Sequence, residues 1–159
     1  MIYHDTDLEK SKILSDNKGK AGIYMWTNKE SNKRYIGSTF DLFKRLSNYY
    51  SIAHISQSKT MYINRALFHH GYSAFSLTIY EEIDISILSK EQAKKFILEL
   101  EQFYIDSLEP EYNLLKIAGF RLGSNHSEET LAKMRKAMTD DKKLKLVKLC
   151  LVRTIHVGC

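Results

Sequence analysis

Hydrophobic and polar positions alternate in short blocks that predict β-strands. Residues 22–27 and 34–38 are rich in Ile, Tyr, Trp and Thr, and they flank the polar stretch NKESNK. This arrangement predicts a β-hairpin with a longer turn. In AFSLTIYEEI, apolar side chains occupy every second position from Phe75 to Ile79, which predicts a third strand.

Three other blocks have the three- to four-residue spacing of amphipathic helices. Asp41 is placed to cap a short helix with an apolar stripe of Leu42, Leu46 and Tyr49. A second helix is predicted in TMYINRALFHHG, ending at Gly71. Its apolar face is predicted to consist of Ile63, Ala66, Leu67 and His70.

The helix with the clearest start signal begins after Ser89. Ser89 and Gln92 occupy the two positions of a capping box, and the helix is expected to end near Leu108, before Pro110. The predicted order is therefore β-β-α-α-β-α. Consecutive strands with helices grouped around them indicate an α+β fold with a small antiparallel sheet.

Both ends of the chain differ from this central region. Residues 1–20 are polar and mixed in charge, and we expect them to form a loose arm. The segment after Pro110 is predicted to be irregular. The stretch HSEETLAKMRKAM then predicts a small basic helix with Ser127 as its cap.

Composition narrows the class of protein. The chain has 159 residues, 43% of them hydrophobic, which favours one compact domain plus a tail. The net charge of +5 and the pI of about 9.1 favour a polyanionic partner. The two cysteines, Cys150 and Cys159, cannot build a disulfide framework or a four-ligand zinc site, so a reducing compartment is expected.

No part of the sequence indicates a membrane or secretory protein. Apolar runs are too short to span a bilayer, and MIYHDTDLEKSK lacks the features of a secretory or transit peptide. We therefore expect synthesis in the cytosol, or in an organelle that translates its own genes.

The hairpin carries two triplets, Gly22-Ile23-Tyr24 and Tyr35-Ile36-Gly37, in near mirror order. If Tyr24 pairs with Tyr35, both hydroxyls project from one face, and a shift by two residues keeps them there. Glycines inside strands often mark close approach by another backbone or a ligand. The triplets are equally compatible with an ordinary hairpin in which the tyrosines are cross-strand partners.

Two charged residues lie beside or on the apolar stripes of predicted helices. Arg45 lies beside Leu42 and Tyr49, where its planar fork can bind phosphate or its stem can cover the core. Glu101 lies on a helical row that is otherwise apolar. A carboxylate there needs either an internal salt bridge or a bound cation. The row consists of Ile97, Glu101, Tyr104, Ile105 and Leu108.

Taken together, these motifs resemble the GIY-YIG nuclease family. GIY, a spacer, YIGS, the arginine of DLFKRL, the glutamate of ELEQFYID and the asparagine of PEYNLL follow in the family's order. The tail GFRLGSNHSEETLAKMRKAM resembles the nuclease-associated DNA-binding module of intron-encoded homing endonucleases. Within the family, the chain looks most like endonucleases encoded in introns of fungal mitochondrial genes.

The resemblance implies a three-stranded antiparallel sheet flanked by helices and a division of the chain into four parts. These are an N-terminal arm (1–19), the nuclease domain (20–118), the DNA-binding module (119–140) and a tail of unknown role (141–159). It also implies a mitochondrial location, double-stranded DNA as partner, and Mg²⁺ or Mn²⁺ as cofactor, without a small-molecule cofactor.

The resemblance assigns catalytic positions residue by residue. It implies that Glu101 holds the metal, that Arg45 binds a phosphate oxygen and that Asn113 steadies the site. Tyr24 becomes the candidate base, and Tyr35 the residue that orients the attacking water or the phosphate. DNA contacts of the module are assigned to the basic residues Lys133, Arg135 and Lys136.

Two features depart from the family pattern. Ser58 occupies the position where many members carry a histidine, with His54 nearby but out of register. The last residues, DDKKLKLVKLCLVRTIHVGC, match no module that usually follows. Competing interpretations are a catalytically decayed DNA-binding or splicing helper and a repair-type nickase.

Overall fold

The computed structural model describes residues 1–57 and 61–119. The strands are β1 (Ile2–Tyr3), β2 (Ala21–Asn28), β3 (Arg34–Thr39) and β4 (Phe75–Ile83). The helices are α1 (Lys10–Asp16), α2 (Leu42–Tyr49), α3 (Ile52–Gln57), α4 (Tyr62–His70) and α5 (Lys90–Leu108), with a 3₁₀ turn at Tyr72–Ala74.

The sheet has four strands in the order β1-β4-β2-β3, and every neighbouring pair is antiparallel. Its core-facing side chains include Trp26, Phe75 and Leu77, which are fully buried and pack with Leu42 and Leu46 of α2. The predicted α+β class is confirmed.

The predicted helix starts are found at the expected residues. The Asp41 side chain accepts a hydrogen bond from the backbone N–H of Lys44, and Ser89 with Gln92 forms a complete capping box at the start of α5. Helix α5 ends at Leu108, as predicted. In α4, however, Asn64 is buried and His70 is exposed, so the predicted apolar face was wrong at His70.

The expectation of a loose N-terminal arm and a three-stranded sheet was wrong. Strand β1 pairs with β4 through Ile2–Thr78 and Tyr3–Leu77. Tyr3 and Ile13 are completely buried, and these residues belong to one compact unit, Met1–Leu122. The short segment gains its order from the sheet and the core, because burial of these two side chains offsets the entropy of fixing it.

The predicted hairpin register was shifted by two residues. Tyr24 pairs with Gly37, and Tyr35 pairs with Trp26. A shift of two preserves the face on which each side chain lies. The predicted common face of Tyr24 and Tyr35 is therefore confirmed.

The expected DNA-binding module (119–140) and the tail (141–159) lie outside the described residues, apart from Gly119. Among the helices that are described, none is both long and apolar enough to cross a membrane.

Candidate active site

An open cleft of about 630 Å³ is formed by the hairpin, α2, α5 and the segment after α5. Each residue that the family resemblance assigned a catalytic position contributes to its lining. These residues are Tyr24, Tyr35, Arg45, Glu101 and Asn113.

The two tyrosines from the glycine triplets lie together. The rings of Tyr24 and Tyr35 have their centroids 6.5 Å apart and are tilted by 47°. Gly37 pairs with Tyr24, and a Cβ at Gly37 would lie 2.5 Å from the Tyr24 hydroxyl. Any side chain at Gly37 would therefore require the Tyr24 phenol to move.

Gly22 has a different role. A Cβ at this position would collide with the backbone carbonyl of Glu81 on the neighbouring strand. The close approach lies beside an irregularity in the β2–β4 pairing between Ile23 and Tyr24. Gly22 thus permits the close approach of β4 at the irregularity that directly precedes Tyr24.

The Tyr24 hydroxyl lies 2.9 Å from the Tyr49 hydroxyl, a hydrogen bond in which either group can donate. Burial raises the pKa of Tyr24, although the charge of Arg45 and the bond from Tyr49 act in the opposite direction. Burial likewise raises the pKa of Tyr35 and of Tyr49. All three phenols are therefore protonated at neutral pH in the metal-free domain.

Arg45 extends from α2 and is half-buried beside these phenols. Its electrostatic interaction with Tyr24 is the largest effect on its pKa, and it raises that pKa above the ordinary arginine value. The guanidinium remains charged throughout the working pH range. It thus supplies a fixed positive charge at the cleft.

Glu101 lies on the apolar row of α5 and is only 8% exposed. Its Oε2 accepts a hydrogen bond of 2.7 Å from the Ser38 hydroxyl. Burial raises the pKa of Glu101, while Ser38 and the Arg45 charge act to lower it. Within residues 1–57 and 61–119, no Lys, Arg or His nitrogen lies within 4.0 Å of this carboxylate. Within the described residues, Glu101 therefore does not form the internal salt bridge that was the alternative to a bound cation.

Asn113 contacts the backbone of the hairpin. Its Oδ1 accepts from the Ile36 N–H and its Nδ2 donates to the Ile36 carbonyl, each at 2.8 Å. This two-point bond fixes β3 between Tyr35 and Gly37, so Asn113 positions the site through the strand.

The histidines differ in their relation to the cleft. His54 is exposed and lines the cleft from α3, which was not predicted to be helical. His69 and His70 lie in the last turn of α4 and are not part of the lining. Ser58 and the predicted DNA contacts Lys133, Arg135 and Lys136 lie outside the described residues.

Sequence reasoning missed Tyr49 and Ser38 as members of the site. Tyr49 was interpreted only as part of the apolar stripe, yet it follows Arg45 by four residues and so shares its helix face. Ser38 follows Ile36 by two residues on β3 and so lies on the same face of the strand. Only the packing of α5 against that strand brings it to Glu101.

The cleft fits a divalent metal held by one protein carboxylate. Among the described residues, no group of three or more His, Cys, Asp or Glu side chains could hold a metal ion. Mg²⁺ commonly binds one or two carboxylates and completes its shell with water and substrate phosphate. The buried, weakly compensated Glu101 oxygens suit such an ion.

A family model described as the GIY-YIG catalytic domain matches residues 20–113. The chain belongs to this family, which confirms the resemblance drawn from its motifs. Divalent-metal dependence is general among GIY-YIG nucleases.

Two proteins of Neurospora crassa are similar over most of this chain. A probable intron-encoded endonuclease bI1 is 30% identical over 149 residues, covering 91% of this chain and 32% of that protein. A probable intron-encoded endonuclease 1 is 33% identical over 136 residues, covering 84% and 42%. The chain thus spans less than half the length of either relative.

Two solved structures are also similar. A point mutant of the catalytic domain of intron endonuclease I-TevI is 28% identical, with a TM-score of 0.49, and the match covers 62% of this chain and 97% of that one. The catalytic domain of homing endonuclease I-TevI is 29% identical, with a TM-score of 0.45, covering 59% and 94%.

Proposed function

We propose that this protein is a metal-dependent DNA endonuclease that hydrolyses phosphodiester bonds and promotes intron mobility. The observation that carries the proposal is the single cleft in which buried Glu101, Arg45 and the two hairpin tyrosines meet. Membership of the GIY-YIG family and similarity to proteins named intron-encoded endonucleases support it.

Glu101 would hold the divalent ion, with Mg²⁺ or Mn²⁺ as the proposed metal. Such an ion supplies charge neutralisation at the phosphate and favours departure of the 3′ oxygen. Ser38 steadies the carboxylate by donating to one of its oxygens. Removal of the charge at Glu101 would remove the protein ligand that holds this ion.

Arg45 binds a non-bridging phosphate oxygen in the proposed reaction. Its charge is fixed, and its bidentate fork matches two oxygen acceptors. Stabilisation of the developing negative charge by such a preplaced donor lowers the barrier to attack.

Tyr24 is the proposed acceptor of the proton from the attacking water, and Tyr35 orients that water or the phosphate. Because burial raises the pKa of Tyr24, a cation must favour its phenolate before it can act as a base. Arg45 already acts in that direction, and positive charge held at Glu101 would add to it. The Tyr49 hydroxyl keeps the Tyr24 oxygen in place.

The predicted module at 119–140 would provide affinity and site selection, and the catalytic residues would provide the chemistry. Lys133, Arg135 and Lys136 are the proposed phosphate contacts. Replacing all three by Gln should weaken binding and flatten its dependence on salt, because fewer counterions are released. Unchanged site choice and salt dependence would remove the module from the proposal.

We further propose that the protein is encoded in an organelle genome and acts in the mitochondrion. The direct test incubates the purified protein with a plasmid that carries an intronless insertion site, with and without Mg²⁺. We expect site-selective cleavage only with the metal. Binding without cleavage in every metal would favour the decayed, DNA-binding alternative.

A further inference from the structure

Large apolar side chains are exposed in the lining of the cleft, which also contains its charged residues. Phe40, Tyr62 and Leu114 are 43%, 42% and 45% exposed, and all three line the cleft. A phosphodiester backbone offers little apolar surface to bind. Exposed apolar groups in the lining of a binding site therefore indicate contact with another part of the ligand.

The backbone around Phe40 forms a closed turn in the lining of the cleft. Thr39 Oγ1 donates to the carbonyl of Asp41 and accepts from its backbone N–H, each at 3.1 Å, so the turn around Phe40 is closed. Ser38, two residues earlier, donates to Glu101. Phe40 thus lies in an ordered turn of the cleft lining, two residues after the serine that contacts Glu101.

Cations accompany the aromatic side chains of this lining. The Arg65 guanidinium carbon lies 4.9 Å from the centroid of the Tyr62 ring. Lys44 and Lys94, together with Arg45, also line the cleft. Aromatic rings combined with basic side chains are the pattern by which proteins bind unstacked nucleobases beside a phosphate backbone.

We propose that Phe40, assisted by Tyr62, contacts the face of a nucleobase next to the scissile phosphate, so that the protein cuts DNA at an opened base step. This inference rests on the proposed function and adds a base subsite to it. Aromatic and apolar side chains placed between base steps partly unstack the duplex. Opening the step exposes the face of the base, which the stacked duplex covers, to the ring of Phe40.

The test uses the full chain and a duplex that carries the cleavage position mapped for the wild-type protein. Phe40→Ser is compared on a fully paired duplex and on one with a mismatch beside the cut. We expect cleavage about tenfold slower on the paired duplex, within the range of one base–aromatic stacking contact, and a rate near wild type on the mismatched one. Phe40→Trp should retain the wild-type behaviour.

Phe68→Ser is the matched control, because Phe68 is 66% exposed on α4 and does not line the cleft. It should be silent on both duplexes. Permanganate oxidation of unstacked thymines, measured without divalent metal, gives a readout independent of cleavage. Wild type and Phe68→Ser should sensitise a thymine at the cut, and Phe40→Ser should not.

Each outcome separates the two proposals. If wild type cleaves and Phe40→Ser cleaves equally fast, or is slowed equally on both duplexes, the base subsite is wrong and the nuclease assignment stands. If Phe40→Ser cleaves as fast as wild type but has a lower melting temperature, Phe40 serves packing within the chain, which also overturns the inference. If wild type cuts no DNA in any metal, no cleavage position can be mapped, and the proposed function and the base subsite that rests on it both fail.

Discussion

The N-terminal segment (residues 1–17) and the cleft both bury tyrosine hydroxyls, but in different surroundings. Tyr3 donates to Asp16 at 3.0 Å and accepts from Asn17 at 3.2 Å, within a closed local cluster. Within the described part of the chain, the Tyr24 hydroxyl has one hydrogen-bond partner, Tyr49, and charged Arg45 and Glu101 act on it electrostatically. Burial raises the pKa of both tyrosines, that of Tyr3 to about 12.

The comparison separates stability from function. A closed polar cluster rigidifies the fold, because each buried group has its partner nearby. Glu101 is buried, and among residues 1–57 and 61–119 its carboxylate has a single hydroxyl donor, so it is costly to the fold unless a cation or ligand binds. Substitutions in the two regions should therefore have different effects.

The largest effect is expected at Glu101. Glu101→Gln keeps the shape of the side chain and removes the charge that would hold the metal. The rate of cleavage in Mg²⁺ should fall by about a hundredfold to a thousandfold or more, since loss of one charge-stabilising group has an effect of that size. Plasmid cleavage and DNA binding by gel shift measure the two effects, and binding should persist.

Glu99→Gln is the control on the same helix, since Glu99 does not line the cleft. It should cleave at nearly the wild-type rate. If Glu101→Gln unfolds the protein or cuts normally, the carboxylate is structural and the metal binds elsewhere.

A smaller effect is expected from Arg45→Lys, which retains the charge and loses the fork. Cleavage should be about 10- to 100-fold slower with nearly normal DNA affinity. Single-turnover rates at saturating protein measure this step. Lys95→Arg, an exposed change on α5 outside the cleft, is the control. Wild-type rates for Arg45→Lys would show that the residue acts only as a point charge or as packing.

The paired tyrosine substitutions test the comparison directly. Tyr3→Phe leaves Asp16 and Asn17 without their hydroxyl partner and should lower the free energy of unfolding by about 1 kcal/mol, with the folded protein fully active. Tyr24→Phe should impair cleavage far more than stability. Urea unfolding and cleavage rates on both variants provide the measurements. If Tyr3→Phe mainly impaired cleavage and Tyr24→Phe mainly lowered stability, the assignment of stability to one region and function to the other would be wrong.

The smallest effect concerns stability without metal. Burial places the folded pKa of Glu101 above its ordinary value of 4.5, so the folded state binds the proton more tightly than the unfolded state. Stability should then fall as pH rises from the unfolded pKa through the folded one. Glu101→Gln should remove this loss.

In EDTA at pH 7, Glu101→Gln should be at least as stable as wild type. The difference should vanish at acidic pH, where the carboxyl is neutral in both states. Urea titrations across this range measure it. A variant less stable than wild type at neutral pH would mean that the carboxylate has a favourable partner in the folded protein.

Local signals in the sequence predicted much of the central fold. The caps at Asp41 and Ser89 depend on neighbouring residues alone, so they were readable directly. Strand β1 was missed because two residues show no alternation, and its order comes from pairing with β4. Alternation also cannot distinguish registers that differ by two, which explains the shift at Tyr24.

The candidate site was predicted through motif order, and its polar contacts were not. Nothing near Ser38 in the sequence indicates that α5 will bring Glu101 to it. The Tyr24–Tyr49 bond likewise depends on how α2 packs against the hairpin. Such contacts between distant residues follow from tertiary packing.

The two-point bond of Asn113 to Ile36 belongs to a longer contact along β3, the edge strand of the sheet. Nearby, Tyr112 donates to the Arg34 carbonyl, and Glu111 accepts from the Arg34 N–H. An open strand edge invites pairing with other chains and aggregation. The segment that steadies the cleft therefore also covers the outer edge of β3 against pairing with a strand of another chain.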